Sequence, residues 1–454
     1  MATKHRNIDM TNSSIFGGII KFVVPVLLIG LIQHLYTAVD SIIVGQYAGS
    51  DALAGVGTTG PLINTIINLF LGLSVGVQVV LGRALGAGDE ESVHKTVHTA
   101  MLISIIAGSI ISFIGIFFAD YLLIMMDVPS DVMSYAKIYL QINFAGKIPS
   151  MIYNFGVGIL RAKGDTKRPL YLGMATGFIK VVLSFIFVAC FSMNSAGVAI
   201  ATLISTTINA VVILKFLTTE DENCRLQFSK LRIYKKQLVD IATVGIPSGI
   251  QSTVGSLSNV ITQTAVNSFE SAAIIAGNTA ASNIQSFYFT IKNSFRQATV
   301  AFVSRNMGAK KYERINKIVK CCFAFMAVFW VLEIFLSVFG GKLLVGLYVP
   351  GDVEAIKTGA LRLAIIGVSY GIFGLSEILS GALRGMGYSF HTMVISLATN
   401  CGIRILWILT VFNKIGTLES LYISFPISWA VALIANMVLF IYAKRKLKCN
   451  AASE

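Results

Sequence analysis

Asp40 is the single carboxylate in an otherwise apolar stretch, FVVPVLLIGLIQHLYTAVDSIIVG, from Phe22 to Gly45. Lys180, Glu333, Glu377 and Arg404 likewise interrupt apolar runs. An ionisable group held in hydrocarbon is costly, so each needs a partner or a function. The chemistry open to them is proton binding, ion pairing and the holding of a small cation. Burial favours neutral Asp40, whereas a nearby ammonium favours its carboxylate form. Other chemistries lack their residues. No phosphate-cradling GxxxxGK run occurs, so ATP-driven pumping by this chain is unsupported. No Ser/His/Asp set and no metal-ligand spacing points to an enzyme, a cofactor or a bound metal. The six cysteines form no disulfide framework, and adjacent Cys321 and Cys322 read as helix packing.

The elements that carry these groups are membrane helices. Of 454 residues, 55% are hydrophobic and only 13% charged, against roughly 25% charged in a soluble domain. About 20 apolar residues suffice to cross a bilayer. Twelve spans are expected, at roughly 17–45, 52–82, 93–118, 132–160, 168–191, 194–217, 237–267, 273–303, 316–340, 356–383, 391–412 and 417–443. The polar N-terminus reads as having no cleaved signal sequence. Basic residues gather after spans 4, 6, 8 and 12, for example Lys163, Arg168, Arg232, Lys310 and Lys444. The outer turns hold acids instead: Asp120, Asp127, Asp131 and Glu270. By the positive-inside rule both termini are cytosolic, which accounts for the net charge of +14 without a nucleic acid. Pro25, Pro61, Pro149, Pro247 and Pro426 lie inside spans, where each can kink its helix.

The chain repeats itself. Displaced by 222 residues, Pro25 falls on Pro247, Gly55 on Gly277, Arg83 on Arg305 and Gly86-Ala87 on Gly308-Ala309. With a residue of slip, GILRAKG (158–164) falls on GALRGMG (381–387). With one more, FIKVVL (178–183) falls on GIRILW (402–407), which sets Lys180 against Arg404. Six crossings per repeat bring both repeats in from the same side. The expected fold is therefore an all-α polytopic membrane protein of two six-helix lobes, related by a pseudo-two-fold axis along the membrane normal. The expected parts are a cytosolic N-terminus (1–16), an N-lobe (17–217), a cytosolic linker (218–236), a C-lobe (237–443) and a cytosolic basic tail (444–454).

In span 1, Pro25, Gln33 and Asp40 are followed by SIIVGQYAGSDALAGVG; GRALGAGDEE follows span 2, LRAKGDTKRP follows span 4, and AGVAIAT lies in span 6. Together with the repeat, these resemble the multidrug and toxin extrusion (MATE) family over essentially the whole chain. The resemblance implies a cation-coupled antiporter that expels amphipathic compounds. The family often carries an acid in span 7 and another in span 10; here those positions are Gly255 and Phe373. The remaining N-lobe aspartate looks most like the DinF-like branch. In family members that use the N-lobe, this aspartate meets an Asn and an Asp of helix 5 and a Thr of helix 6. Asp40 and Thr202 match by motif, whereas Lys180 and Ser184 stand at the Asn and Asp places. Tyr36 and Tyr139 join the expected cation-coupling network.

An ammonium in place of an amide removes a cation ligand and adds repulsion, which favours H+ over Na+. Lys180 lies roughly 18 Å into its helix by helical rise, where a lone ammonium needs a counter-charge. Asp40 is the expected one, with Lys147 as the rival cation. Protonating Asp40 would open that pair and couple proton uptake to substrate release. In the C-lobe the expected charge pair is Glu377 with Arg404. Glu333 reads as a packing or locally hydrogen-bonded carboxylate, and Arg161, Arg384, Lys292 and Arg296 as snorkelling or helix-capping cations. The expected function is a secondary active multidrug efflux antiporter of the bacterial plasma (inner) membrane. It would exchange small amphipathic substrates for protons by alternating access, as a monomer, with no cofactor. Two mid-depth cations leave zwitterionic and anionic substrates open. Na+ coupling and transport of a lipid-linked precursor are the alternatives.

Overall fold

A computed structural model describes residues 7–126 and 128–453; Asp127, one of the outer-turn acids, and residues 1–6 lie outside them, as do the side chains of Ser50, Pro61, Leu257 and 450–453. Most of the described residues are helical, with no strand among them. The solvent dictates this, because in hydrocarbon an open backbone donor or acceptor has no water to pair with. Twelve long helical segments result. They are α1 (Ile15–Tyr47), α2 (Ser50–Ala87), α3 (Glu90–Phe117), α4 (Ser130–Ala145 continued by Lys147–Lys163), α5 (Lys167–Cys190) and α6 (Asn194–Thr218). After the linker come α7 (Lys235–Asn267), α8 (Ala272–Gly308), α9 (Tyr312–Val338), α10 (Val353–Gly385), α11 (Ser389–Ile415) and α12 (Leu418–Ser453).

Among the described residues, nine helices are long and apolar enough to cross a membrane by length and composition alone. The other three are α4, α7 and α8. α4 is broken at Gly146, which separates its two runs. Pro149, expected to kink a helix, instead lies in the first turn after that break, where a missing donor leaves no helical bond unmade. α7 and α8 are richer in polar side chains, and these point inward: Gln251, Ser258 and Thr262 of α7 and Asn278, Gln285 and Lys292 of α8 are buried. Pro25, Pro247 and Pro426 do lie inside helices. Four π-helical stretches interrupt the regular turns of the described residues: Ile186–Cys190 in α5, Leu363–Gly367 in α10, and Leu397–Ile403 and Ile408–Phe412 in α11.

The chain divides into two compact units, one of residues 24–249 with 7–9, the other of 250–453 with 10–23. The repeat is visible element by element. α2 and α8 begin at Ser50 and Ala272, α3 and α9 at Glu90 and Tyr312, and short helices Ala119–Ile124 and Gly341–Gly346 follow them, each pair at the same 222-residue displacement. In the first unit, Leu81, Val97, Met101, Leu140, Phe144 and Phe155 belong to a continuous apolar core. In the second, Ala281, Val345, Leu363, Ile366 and Leu421 do so. Within the first unit, α2 and the start of α7 cross backbone to backbone. A Cβ on Gly72 would stand 2.1 Å from the Gly249 nitrogen, and one on Gly249 would stand 2.0 Å from the Leu69 carbonyl oxygen. Gly72 with Gly76, and Gly245 with Gly249, repeat at the four-residue spacing by which small residues let membrane helices pack closely.

Candidate functional site

Asp40 is 6% exposed, and both its oxygens meet α5. Oδ2 lies 2.5 Å from Lys180 Nζ. Oδ1 accepts a hydrogen bond of 3.0 Å from Ser184 Oγ. Residues 180 and 184 are one helical turn apart, so a single face of α5 presents both. Ile43, Val44, Val188 and Val198 form an apolar cluster beside the site, and Tyr139 packs against it. One turn earlier on α1, the Tyr36 ring lies over Gly177, where a Cβ would stand 1.6 Å from a ring carbon. The Tyr36 hydroxyl donates to the Met174 carbonyl oxygen at 3.1 Å. α1 is thus fastened to α5 at two successive turns, by a ring over a glycine and by an ion pair. Directly beyond Ser184, α5 becomes π-helical at Ile186–Cys190.

Not every expected member of the network engages Asp40. Thr202 Oγ1 donates to the Val198 carbonyl oxygen of its own helix at 2.9 Å. A hydroxyl on a helix often satisfies itself in this way. Tyr139 borders the site by packing, and Tyr36 bonds the α5 backbone. Lys147, the rival cation, is buried with its Nζ 5.9 Å from the Phe144 ring centre. Among the described residues no carboxylate lies within ion-pair distance of it.

In the second unit the expected Glu377–Arg404 pair does not form. Glu377 Oε2 instead lies 3.2 Å from Arg296 Nη1, across α8 and α10. Those helices come close where Gly381 faces Arg296, whose carbonyl oxygen a Cβ would meet at 2.8 Å. α8 therefore offers Glu377 a nearer cation than α11 does. Arg404 turns to Ser258 Oγ at 2.7 Å and Ser428 Oγ at 3.1 Å.

Two other cations and one acid also depart from expectation, and a third cation was not foreseen. Lys292 does not snorkel; it is fully buried and ion-paired with Glu333 of α9, which is therefore no isolated packing carboxylate. Arg384 is 1% exposed and does not snorkel either. Arg362, not singled out from sequence, is buried and donates to Gln285, Asn278 and Ser282. The Lys292–Glu333 pair had a sequence signal. The two residues lie at similar distances along the chain from the turn that joins α8 to α9, hence at similar depth. Arg362 had none, since its partners are neutral amides and a hydroxyl.

The MatE family profile matches residues 25–186 and 247–409, beginning each time at the repeat proline. The chain belongs to the MatE family. Probable multidrug resistance protein YoeA of Bacillus subtilis is 26% identical to this MatE chain over 440 residues, covering 94% of each. A solved structure described as MATE in the bent conformation superposes with a TM-score of 0.91 at 21% identity, covering 98% of this chain and 99% of that one. A MOP superfamily transporter from Pyrococcus furiosus, described by a binding pocket of reverse polarity, gives 0.91 at 20% identity with coverage of 98% and 99%. The likeness to these structures is one of fold, and it establishes this MatE chain as a polytopic bundle of twelve helices in two lobes.

Proposed function

We propose that this MatE chain is a secondary active exporter of small amphipathic compounds, that it takes up protons in exchange by alternating access, and that Asp40 binds the proton. The carrying observation is the buried Asp40 carboxylate, held by Lys180 at 2.5 Å and Ser184 at 3.0 Å. The name of YoeA, a probable multidrug resistance protein, supports drug-like cargo. A Na+ ion would need several oxygens where Lys180 already places an ammonium, so a proton fits this carboxylate better. With Gly255 and Phe373 at the C-lobe acid positions, the coupling role falls to Asp40, which supports the DinF-like branch.

Ionised Asp40 offsets Lys180 and holds α1 against α5. Protonated Asp40 no longer offsets it, and Lys180 is left as an unpaired charge in a low-dielectric site, which is strongly unfavourable. Separation of α1 from α5, or movement of Lys180 toward water, relieves this. Proton uptake thereby acquires a change of conformation to drive. Loss of the proton on the other side restores the pair. The basic loops support cytosolic termini in a bacterial inner membrane, with lobes 17–217 and 237–443 about the linker 218–236, in a chain that works as a monomer.

Protein purified into liposomes tests the reading. A pH gradient at equal Na+ should drive movement of an amphipathic dye, and a Na+ gradient at fixed pH should not. Asp40→Asn should abolish proton-driven movement while the protein remains in the membrane. Dye movement under Na+ alone overturns the ion assignment. Undiminished proton-driven movement in Asp40→Asn overturns the site.

A further inference from the structure

The two units carry a cation at matched places in the repeat and provide for it differently. Lys180 of α5 has Asp40. Arg404 of α11 is 5% exposed, yet among the described residues no carboxylate lies within ion-pair distance of it. Its Nη1 donates to Ser258 Oγ at 2.7 Å and its Nε to Ser428 Oγ at 3.1 Å. Those hydroxyls donate in turn to backbone, Ser258 to the Asn400 carbonyl at 2.7 Å and Ser428 to the Phe425 carbonyl at 2.9 Å. They offer lone pairs but no charge. The residue matching Asp40 is Thr262, whose hydroxyl donates to the Ser258 carbonyl of its own helix at 3.0 Å.

The imbalance extends through this unit. It buries Lys292, Arg362, Arg384 and Arg404 but, among the described residues, only one acid, Glu333. Glu333 is paired with Lys292, and the partly buried Glu377 with Arg296. A buried charge without a counter-charge is strongly disfavoured. The surroundings of Arg404 indicate what would supply one. Its guanidinium stands 3.9 Å from the Phe425 ring centre and 5.6 Å from that of Trp429. Trp429 in turn lies 5.1 Å from the ring centres of both Tyr370 and Phe373. A guanidinium fork matches a carboxylate, and the rings beside it match an aromatic body. α11 is π-helical on both sides of Arg404, an irregularity that recurs at functional sites.

We propose that Arg404 binds the carboxylate of an aromatic substrate, whose ring packs against Trp429, Phe373 and Tyr370. An organic cation would compete poorly here, because it would meet like charge: Arg404 stands 3.9 Å from the Phe425 ring centre and Lys292 4.5 Å from that of Tyr370. The proposal deepens the exporter reading and rests on it.

The test uses the full-length protein with Trp330→Phe and Trp407→Phe, so that Trp429 alone reports. Three probes share one ring system: naphthoate, naphthamide and naphthylmethylammonium. Naphthoate should bind at least about tenfold more tightly than naphthamide, as a charge-assisted bond provides. Arg404→Gln should remove that preference and Arg404→Lys should keep part of it. Ser258→Ala with Ser428→Ala keeps the charge while removing its internal partners, and should preserve or raise naphthoate affinity even if Arg404→Gln folds poorly. Equal binding of naphthoate and naphthamide overturns the proposal, as does a preference that survives Arg404→Gln. Liposome transport separates the two readings. Proton-driven movement of naphthylmethylammonium with no naphthoate preference keeps the exporter and removes the anchor. Arg404-dependent naphthoate binding without transport of any probe keeps the anchor and removes the exporter.

Discussion

Replacing one member of the Asp40–Lys180 contact leaves the other as an uncompensated charge. Lys180→Gln and Asp40→Asn should each destabilise the protein by about 3 kcal/mol, the range for breaking a buried pair. The double substitution should cost less than either single one, because it removes both charges. Thermal unfolding in detergent measures all three, and additive losses would show that the two residues do not compensate. Residue chemistry was legible in sequence where type alone decides. An acid and an ammonium in apolar helices each require a partner, and the structure sets these two together. It was not legible where two cations compete at similar depth. From sequence Glu377 goes to Arg404 and Arg296 reads as a snorkelling or capping cation, whereas the close approach of α8 to α10 at Gly381 favours Arg296. Depth along a helix says nothing about which neighbouring helix is nearer.

α1 and α5 meet through a ring on a glycine one turn from the ion pair. Gly177→Ala would put a methyl group where the Tyr36 ring lies, 1.6 Å from a ring carbon. Overpacking of this kind costs about 1–3 kcal/mol, and here it falls on the contact that holds Asp40 to Lys180. Proton-driven transport should drop in Gly177→Ala and recover in part when Tyr36→Ala is added. Failure of the second change to restore any transport would separate Tyr36 from the docking of these helices. Nine of the twelve segments were legible as runs of apolar residues of sufficient length, and α4, α7 and α8 from their places in the repeat. The break at Gly146 and the four π-helical stretches were not. Both leave the composition of the helix unchanged, and neither has a hydrophobic period of its own across so few residues. The hydrogen bond of Thr202 was illegible for a related reason: a threonine on a helix can bond its own backbone, as Thr202 does to Val198.

Across the whole molecule, the repeat was legible because landmark residues keep their spacing, and the structure returns it as matched starts of α2 and α8 and of α3 and α9. The repeat also exposes where the units part company, at Asp40 and Thr262 and at Lys180 and Arg404. That difference has an electrical consequence. If one proton enters for each substrate that leaves, exchange for a monovalent cation moves no net charge. Exchange for a monovalent carboxylate moves two charges inward, each worth about 2.3 kcal/mol per 100 mV. On a solid-supported membrane, naphthoate exchange should therefore give a current that Arg404→Gln abolishes, and naphthylmethylammonium exchange should be silent. Naphthoate transport without current would contradict the one-for-one exchange. An arginine lacking the acid that its repeat counterpart possesses would then decide which part of the proton-motive force the carrier draws on, the pH difference alone or the membrane voltage as well.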